Sequence, residues 1–159
     1  MVLGDNRMKA HGRNHGLNIV AEDADLVVLL RDRRFTYAKL ERAANALRAG
    51  ARLIVANPDL THPGPNGQVA PETGALLAAL SACVGDAEVE MEIVGKPSPR
   101  LFERACRVLE VEPARAVMIG DNPATDGAGA EAFGLPWLMV GAAAPLGFED
   151  LGFEALRNA

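Results

Sequence analysis

Short apolar runs alternate with amphipathic helical patterns along most of this chain, and that alternation restricts the possible folds more than any other feature. The five-residue apolar run Leu26–Leu30 is typical of a strand buried on both faces. A helix is predicted from Thr36 to Gly50, because a capping hydroxyl precedes apolar residues spaced on one face and a glycine ends the pattern. Leu53–Ala56 then predicts another strand. Strands separated by helices in this way predict an α/β fold with mostly parallel strands.

The same rhythm extends towards both ends of the 159-residue sequence. The segment Asn57–Pro71 is predicted to be a long functional or mobile loop, because it holds four prolines and two glycines. A boundary between two lobes is expected near Glu92–Gly95. Further strands are predicted at Val2–Leu3, Leu17–Val20, Val89–Ile93, Ala116–Ile119 and Trp137–Val140, and further helices at Met8–His15, Thr73–Cys83, Ser98–Leu109, Thr125–Phe133 and Phe148–Leu156.

Charge and composition argue against several classes of protein. The net charge of −5 does not suit nucleic-acid binding, which needs a basic patch, and the cluster Arg31, Arg33 and Arg34 is predicted to be a solvated loop. The longest uncharged stretch, Phe133–Phe148, is interrupted by glycines and prolines, so it is not expected to span a membrane. Because no signal-peptide pattern is visible and both cysteines lie in apolar helical patterns, we expect a cytoplasmic protein.

The loop after the predicted strand Ala116–Ile119 carries two carboxylates. Asp121 follows Gly120 at the carboxyl end of that strand, where open parallel sheets bind their ligands, and Asp126 lies five residues further on. Two carboxylates on one short loop can share a hard cation such as Mg²⁺, directly or through water. The alternative is that both residues are ordinary turn and helix-cap residues, which spacing alone does not exclude.

A single lysine occupies a second position of interest. Lys96 follows a predicted strand and Gly95 and comes just before a predicted helix, where an ammonium group could hold a phosphate. Taken alone, Lys96 could equally be a surface lysine. The sequence contains neither a Gly-x-Gly-x-x-Gly turn at the start of a helix nor a Walker-type loop.

Taken together, these stretches resemble a known family. Gly95–Pro99, followed one helix later by Ile119–Asp126, is similar to motifs III and IV of haloacid-dehalogenase phosphatases, specifically of the NagD-like, p-nitrophenyl-phosphatase-like branch. Upstream, Phe35–Leu40 and Gly50–Asp59 resemble the mobile α/β cap of that branch. The resemblance implies a small α/β cap domain over residues 1–92 and the C-terminal half of a Rossmann-like core, with parallel strands, over residues 93–159.

The resemblance also implies a chemistry, the Mg²⁺-dependent hydrolysis of small phosphate monoesters through an aspartyl-phosphate. Carried over by position, Lys96 would be the catalytic lysine that contacts the phosphate and the nucleophile. Asp121 would bind Mg²⁺, and Asp126 would support the ion, through water. Asn122 and Thr125 would complete the loop around the phosphate.

In a complete enzyme of this kind, the predicted loop Asn57–Pro71 should lie over the active site. Its polar residues Asn57, Asp59 and His62 are the candidates for contact with the leaving group. Turn chemistry around the neighbouring prolines is the alternative explanation for these three residues.

The sequence departs from the family at the nucleophile. No apolar strand is followed by Asp-x-Asp: Asp23-Ala24-Asp25 precedes a predicted strand, and Asp5 is followed two residues later by Arg7. The small polar residue of motif II has no counterpart either. We therefore interpret the chain as cap plus the second half of the core, and we expect it to be inactive alone.

Two alternatives remain open beside an enzyme acting on a small phosphorylated metabolite. One is a non-catalytic, truncated paralogue that serves as a dimerisation or ligand-binding module. The other is an unrelated doubly wound domain, such as a receiver or nucleotide-binding domain. The partner of the chain would be a second copy in a homodimer or the missing N-terminal segment of the core.

Overall fold

The computed structural model describes residues 1–141, and the chain divides into two compact units, Met1–Gly95 and Lys96–Ala159. Each unit is built around its own sheet and its own core. The assignment of residues 1–92 to a cap and 93–159 to half of a core stays a prediction. Across the part of the chain that the structure describes, no helix is both long and apolar enough to cross a membrane.

The first unit contains a sheet of four parallel strands. They are β1 (Val2–Leu3), β2 (Leu26–Leu29), β3 (Arg52–Val55) and β6 (Met91–Ile93), and they lie side by side in that order. Their alternating burial follows from the period of two in a strand, which places successive side chains on opposite faces. The predicted α/β fold with mostly parallel strands is confirmed.

Three helices accompany this sheet: α1 (Asn6–Asn14), α2 (Tyr37–Arg48) and α3 (Thr73–Val84). The hydroxyl of Thr36 accepts the Lys39 amide and so caps α2, as its position in the sequence predicts. Gly85 ends α3 at φ 65°, a backbone region that favours glycine. The helices and strands bury one apolar core, in which each large side chain contributes about 1.5–3 kcal/mol; its largest members are Leu29, Leu47, Leu80, Val27 and Val55.

The segment predicted to be one long loop contains a small hairpin. Strands β4 (Thr61–Pro63) and β5 (Val69–Pro71) pair antiparallel, with His62 opposite Ala70. A short 3-10 turn, Pro65–Gly67, connects them. The prolines occupy the ends of these short strands and the turn, where the lack of an N–H group is tolerated. The prediction of one long loop was therefore wrong for the central part of Asn57–Pro71.

The second unit contains helix α4 (Arg100–Leu109), strand β7 (Met118–Gly120), helix α5 (Ala128–Phe133) and strand β8 (Trp137–Met139). Strands β7 and β8 pair in parallel. A 3-10 turn precedes β7, and a π-helical turn, Pro123–Gly127, leads from the loop after β7 into α5. The buried core of this unit comprises Phe102, Cys106, Ala130 and Leu135.

Several local predictions were wrong. Leu17–Val20 forms no strand, and Cys83 is exposed, although Cys106 is buried as expected. Ser98 does not cap α4, because Pro99 holds the cap position without a side-chain hydrogen bond. Neither does Thr125 cap a helix: the carboxamide of Asn122 accepts the Ala124 amide instead. The predicted helix Phe148–Leu156 lies outside the described residues.

Candidate active site

The loop after β7 is shaped by Asn122. Its backbone carbonyl accepts the amides of Thr125, Asp126 and Gly127 at 3.3, 2.8 and 3.4 Å, and its side-chain oxygen accepts the Ala124 amide at 3.0 Å. A single residue thus satisfies the free N–H groups at the start of the π-helical turn, which are the groups a helix cannot pair internally. The turn carries Asp126 back towards the end of β7.

Asp126 is almost fully buried and holds an ion pair with Lys96. One carboxylate oxygen of Asp126 accepts a hydrogen bond from the Lys96 ammonium, and the other accepts the Asn122 amide at 3.2 Å. The Asp126 side chain is 3% exposed, whereas the Lys96 side chain is 41% exposed. The lysine is therefore tethered at its tip by a buried anion and still reaches solvent.

Two glycines allow this approach. A β-carbon at Gly120 would overlap the Asp126 carboxylate, so only glycine leaves room for that side chain at the end of β7. A β-carbon at Gly129 would come within 2.6 Å of the Phe102 ring and 3.0 Å of the Pro97 carbonyl oxygen. Close packing of Pro97 on α5 thus positions the neighbouring Lys96 beside the loop.

Asp121 has a different environment. It is exposed, and no other described residue forms an ion pair or a side-chain hydrogen bond with it. A β-carbon at Gly141 would be in van der Waals contact with the Asp121 β-carbon, at 3.5 Å. Asp121 is consequently available to a ligand, while Asp126 is already held by the protein.

The donor set of this loop can be compared with the needs of Mg²⁺. Within residues 1–141, no three His, Cys, Asp or Glu side chains gather into a potential metal cluster. Mg²⁺ is usually held by only one or two protein carboxylates, with water and substrate phosphate completing its shell. One free carboxylate, Asp121, and one ordered carboxylate, Asp126, fit that pattern. The roles of Lys96, Asp121, Asp126, Asn122 and Thr125 in binding stay predictions.

The other predicted site residues belong to the first unit. The Asn57 side-chain oxygen accepts the Asp59 amide at 3.2 Å, which is a local turn contact. The Asp59 carbonyl accepts the Gly74 amide at 2.8 Å, so the backbone of this turn is fixed to the start of α3. Asp59 exposes its side chain. Strand β6, which precedes Lys96 in the sequence, lies in this unit, whereas β7 lies in the other.

His62 belongs to a charged cluster that the sequence did not predict. Its Nδ1 lies 2.7 Å from a Glu72 carboxylate oxygen, and the Arg31 guanidinium donates to the same oxygen at 2.6 Å. Burial alone would raise the pKa of Glu72, but Arg31 and then His62 outweigh it and hold that pKa below its ordinary value of 4.5. Arg31 and Glu72 lie 41 residues apart, so no local pattern could have linked them.

The aspartates considered as nucleophiles are placed as the sequence predicts. The Asp5 carboxylate follows β1 but accepts the Met8 amide at 2.9 Å and so caps α1. Asp23 and Asp25 come before β2, at its amino end. None of these carboxylates lies in an Asp-x-Asp motif after a strand.

Comparison with known proteins agrees with the resemblance seen in the sequence. A family model described as haloacid dehalogenase-like hydrolase matches residues 5–134, which is more than half of the chain. The curated relatives include the 5'-nucleotidase YutF of Bacillus subtilis, 36% identical over 79% of this chain and 47% of that protein, and rat chronophin, 36% identical over 79% of this chain and 41% of that protein. The crystal structure of a 4-nitrophenylphosphatase from Thermotoga maritima superposes with a TM-score of 0.82 at 30% identity, covering 100% of this chain and 57% of that one. The chain thus spans about half the length of the curated relatives it matches.

Proposed function

The chain belongs to the haloacid dehalogenase-like hydrolases, and from that premise we propose that it supplies the phosphate- and metal-binding part of a Mg²⁺-dependent phosphatase. The substrates we propose are small phosphate monoesters. One observation carries the proposal: a solvent-reaching Lys96 is held by the buried Asp126, and the loop that carries Asp126 also carries the exposed Asp121. One relative is named a 5'-nucleotidase and one similar structure a 4-nitrophenylphosphatase, which supports the reaction class.

In the proposed reaction, Lys96 binds an oxygen of the phosphoryl group and offsets the negative charge that repels an attacking oxyanion. Phosphoryl transfer depends mainly on such positioning and charge neutralisation. Asp126 does not touch the substrate in this scheme; it orients Lys96 through the ion pair. Because Asp126 is itself fixed by the Asn122 amide, the lysine tip keeps its position before substrate arrives.

Asp121 would hold Mg²⁺, with Asp126 supporting the ion through water, and the bound ion would supply further neutralisation of phosphate charge. Asn122 and Thr125 would complete the loop that surrounds the phosphate. The Asp121 carboxylate has no hydrogen-bond or ion-pair partner among the described residues, so Mg²⁺ would not have to displace one. This supports Asp121 as the direct ligand.

We propose in addition that these 159 residues do not hydrolyse phosphate esters alone. The mechanism of the family needs an attacking carboxylate in an Asp-x-Asp motif after a strand, and the sequence contains none. In the complete enzyme, Asn57, Asp59 and His62 would contact the leaving group and contribute to substrate choice. We further propose a cytoplasmic protein that acts either as a homodimer or with a separate segment carrying the nucleophile.

The test measures hydrolysis of p-nitrophenyl phosphate with Mg²⁺ by the purified chain, alone and mixed with the part of the Thermotoga maritima enzyme that the chain does not match. We expect no turnover by the chain alone and measurable turnover by the mixture. Substitution Lys96→Met should abolish the turnover of the mixture, while Arg104→Met, which also removes one cation, should not. Turnover by the chain alone would contradict the proposed dependence on a missing nucleophile. If the mixture is inactive although the two parts associate, the chain is a non-catalytic binding module.

A further inference from the structure

The first unit contains a strongly basic cleft that the proposed function does not use. It has a volume of about 630 Å³ and lies among Gly4–Lys9 and Arg31–Lys39. Six cationic side chains line it against two carboxylates, Asp5 and Asp32, although the chain as a whole has a net charge of −5. The cations are Arg7, Lys9, Arg31, Arg33, Arg34 and Lys39. The cluster predicted to be a solvated loop is therefore part of a concave surface, the basic cleft.

The sheet brings the two walls of the basic cleft together. Strands β1 and β2 are parallel neighbours, and the Leu30 amide donates to the Leu3 carbonyl at 2.8 Å just beyond their pairing. A β-carbon at Gly4 would come within 3.0 Å of the Leu30 side chain. The absence of a side chain at Gly4 therefore lets the segments that follow β1 and β2 lie close together. The two segments that line the basic cleft thus begin at the carboxyl ends of parallel strands, where such sheets bind ligands.

A buried ion pair holds the second wall in place. The Asp32 side chain is only 2% exposed, and it accepts the Lys39 ammonium at 2.7 Å and the Arg34 amide at 2.9 Å. The Lys39 ammonium also donates to the Arg34 carbonyl at 2.8 Å. These three bonds fix the turn that presents Arg33 and Arg34, so the basic cleft needs little ordering before it binds.

Only part of the positive charge in the basic cleft is neutralised within the protein. Lys39 is paired with Asp32, and Arg31 is paired with Glu72. The remaining four cations, Arg7, Lys9, Arg33 and Arg34, have no ion-pair partner among residues 1–141. Like charges gathered in one concavity repel each other and raise the local positive potential, which an anion relieves.

We propose that the basic cleft binds a small anion carrying more than one phosphoryl group. Arginine guanidinium groups match phosphoryl oxygens with paired hydrogen bonds. Four unpaired cations against the one unpaired carboxylate of Asp5 leave more positive charge than a single phosphate neutralises. The volume of the cleft, about 630 Å³, lies within the usual range of small-molecule sites, which favours a small molecule over a nucleic acid. This site lies wholly in the first unit and does not depend on Lys96 or on hydrolysis.

Calorimetric titration of the whole chain with inorganic pyrophosphate, at physiological ionic strength, tests the proposal. We expect saturable binding that the double substitution Arg33→Glu, Arg34→Glu weakens by roughly tenfold or more, the effect of about 1.4 kcal/mol. The matched control, Arg104→Glu with Arg115→Glu, makes the same change in net charge in the second unit and should alter the affinity less than about twofold. If the glutamate pair prevents folding, Arg33→Gln with Arg34→Gln replaces it with the same direction of effect.

The position of binding is tested by amide NMR shifts during the same titration. The proposal expects shifts concentrated in residues 4–9 and 31–39, and expects them to persist in Lys96→Met. The absence of pyrophosphate binding, equal weakening by the control pair, or loss of the shifts in Lys96→Met would each overturn it. Tighter binding of a single-stranded oligonucleotide than of pyrophosphate, abolished by the same Arg33 and Arg34 substitutions, would assign the surface to nucleic acid instead.

Discussion

The ion pair between Lys96 and Asp126 predicts an asymmetry between two substitutions that remove the same interaction. Lys96→Met deletes the ammonium group and keeps most of the aliphatic stem, whereas Asp126→Asn keeps the shape of the side chain and removes its charge. The first leaves a carboxylate that is 3% exposed, and the second leaves a lysine that is 41% exposed. Water can take the place of the lost partner at the exposed lysine, but it cannot reach the buried carboxylate.

The difference has an expected size. Removing one partner of a fully buried pair costs about 3–5 kcal/mol, and the partial exposure of Lys96 reduces this to roughly 2–3 kcal/mol for Lys96→Met. In Asp126→Asn the amide oxygen can still accept the Asn122 amide, so the loss is that of one screened hydrogen bond, about 1 kcal/mol. Lys96→Met should therefore destabilise the second unit by about 1–2 kcal/mol more than Asp126→Asn.

The chain offers a probe that reports on this unit alone. Trp137 in β8 is its single tryptophan, and a β-carbon at Gly127 would come within 2.7 Å of the indole ring, so the ring packs on the turn that carries Asp126. Urea unfolding followed by tryptophan fluorescence thus measures the second unit even if the first unfolds separately. The control is Arg104→Met, an exposed cation on α4, with an expected change below about 0.5 kcal/mol.

Two results would refute this reasoning. Equal destabilisation by Lys96→Met and Asp126→Asn would show that the carboxylate is not desolvated as its burial implies. A control value as large as that of Lys96→Met would show that loss of any cation in this unit has the same effect, and that the ion pair has no special role.

Three further predictions concern other parts of the chain. Gly74→Ala should destabilise the first unit by about 2 kcal/mol or more in circular-dichroism-monitored unfolding, because a β-carbon would overlap the backbone carbonyl of Pro58. Glu72 has a lowered pKa in the folded state, so its contribution to stability is present above pH 4.5 and is lost as the pH falls through the folded value; Glu72→Gln should flatten unfolding free energy against pH in that acidic range. Asp121→Asn should change the unfolding free energy by less than about 0.5 kcal/mol, because Asp121 is exposed, yet weaken Mg²⁺ binding in a calorimetric titration.

The elements that the sequence predicted best are those whose signals are local. Helix α2 combines the Thr36 cap with apolar positions on one face, and the structure places its ends at Tyr37 and Arg48, close to the predicted ones. Strand β2 was evident as an uninterrupted apolar run, which is typical of a strand within a parallel sheet. In both cases the residues that specify the element lie within it or directly beside it.

Predictions failed where the decisive partner lies elsewhere. Leu17 and Ile19 have a strand-like spacing, but their side chains lie where a β-carbon at Gly12 would meet them at 3.2 and 3.1 Å, so they cover the end of α1 instead of joining a sheet. Hydrophobic spacing does not distinguish these two uses of an apolar residue. The hairpin of β4 and β5 was missed because its prolines are typical of loops.

The candidate site shows the same limit. Lys96 and Asp126 are 30 residues apart, and spacing alone did not exclude an ordinary surface or turn role for either residue. The resemblance to a family joined them, and the structure adds the contact between them. The organising role of Asn122 was not predicted, because a carbonyl that accepts three amides depends on backbone geometry that the residue type does not encode.

Each unit contains one buried aspartate paired with a lysine, and the exposure of the lysine separates their uses. The Lys39 side chain is 21% exposed and divides its donors between Asp32 and the Arg34 carbonyl, so its bonds are directed inward and hold a turn. The Lys96 side chain is 41% exposed and has Asp126 as its hydrogen-bond partner among residues 1–141, which leaves donors for a ligand because an ammonium group has three. The same pair of residue types therefore provides rigidity beside the basic cleft and a positioned cation at the candidate active site.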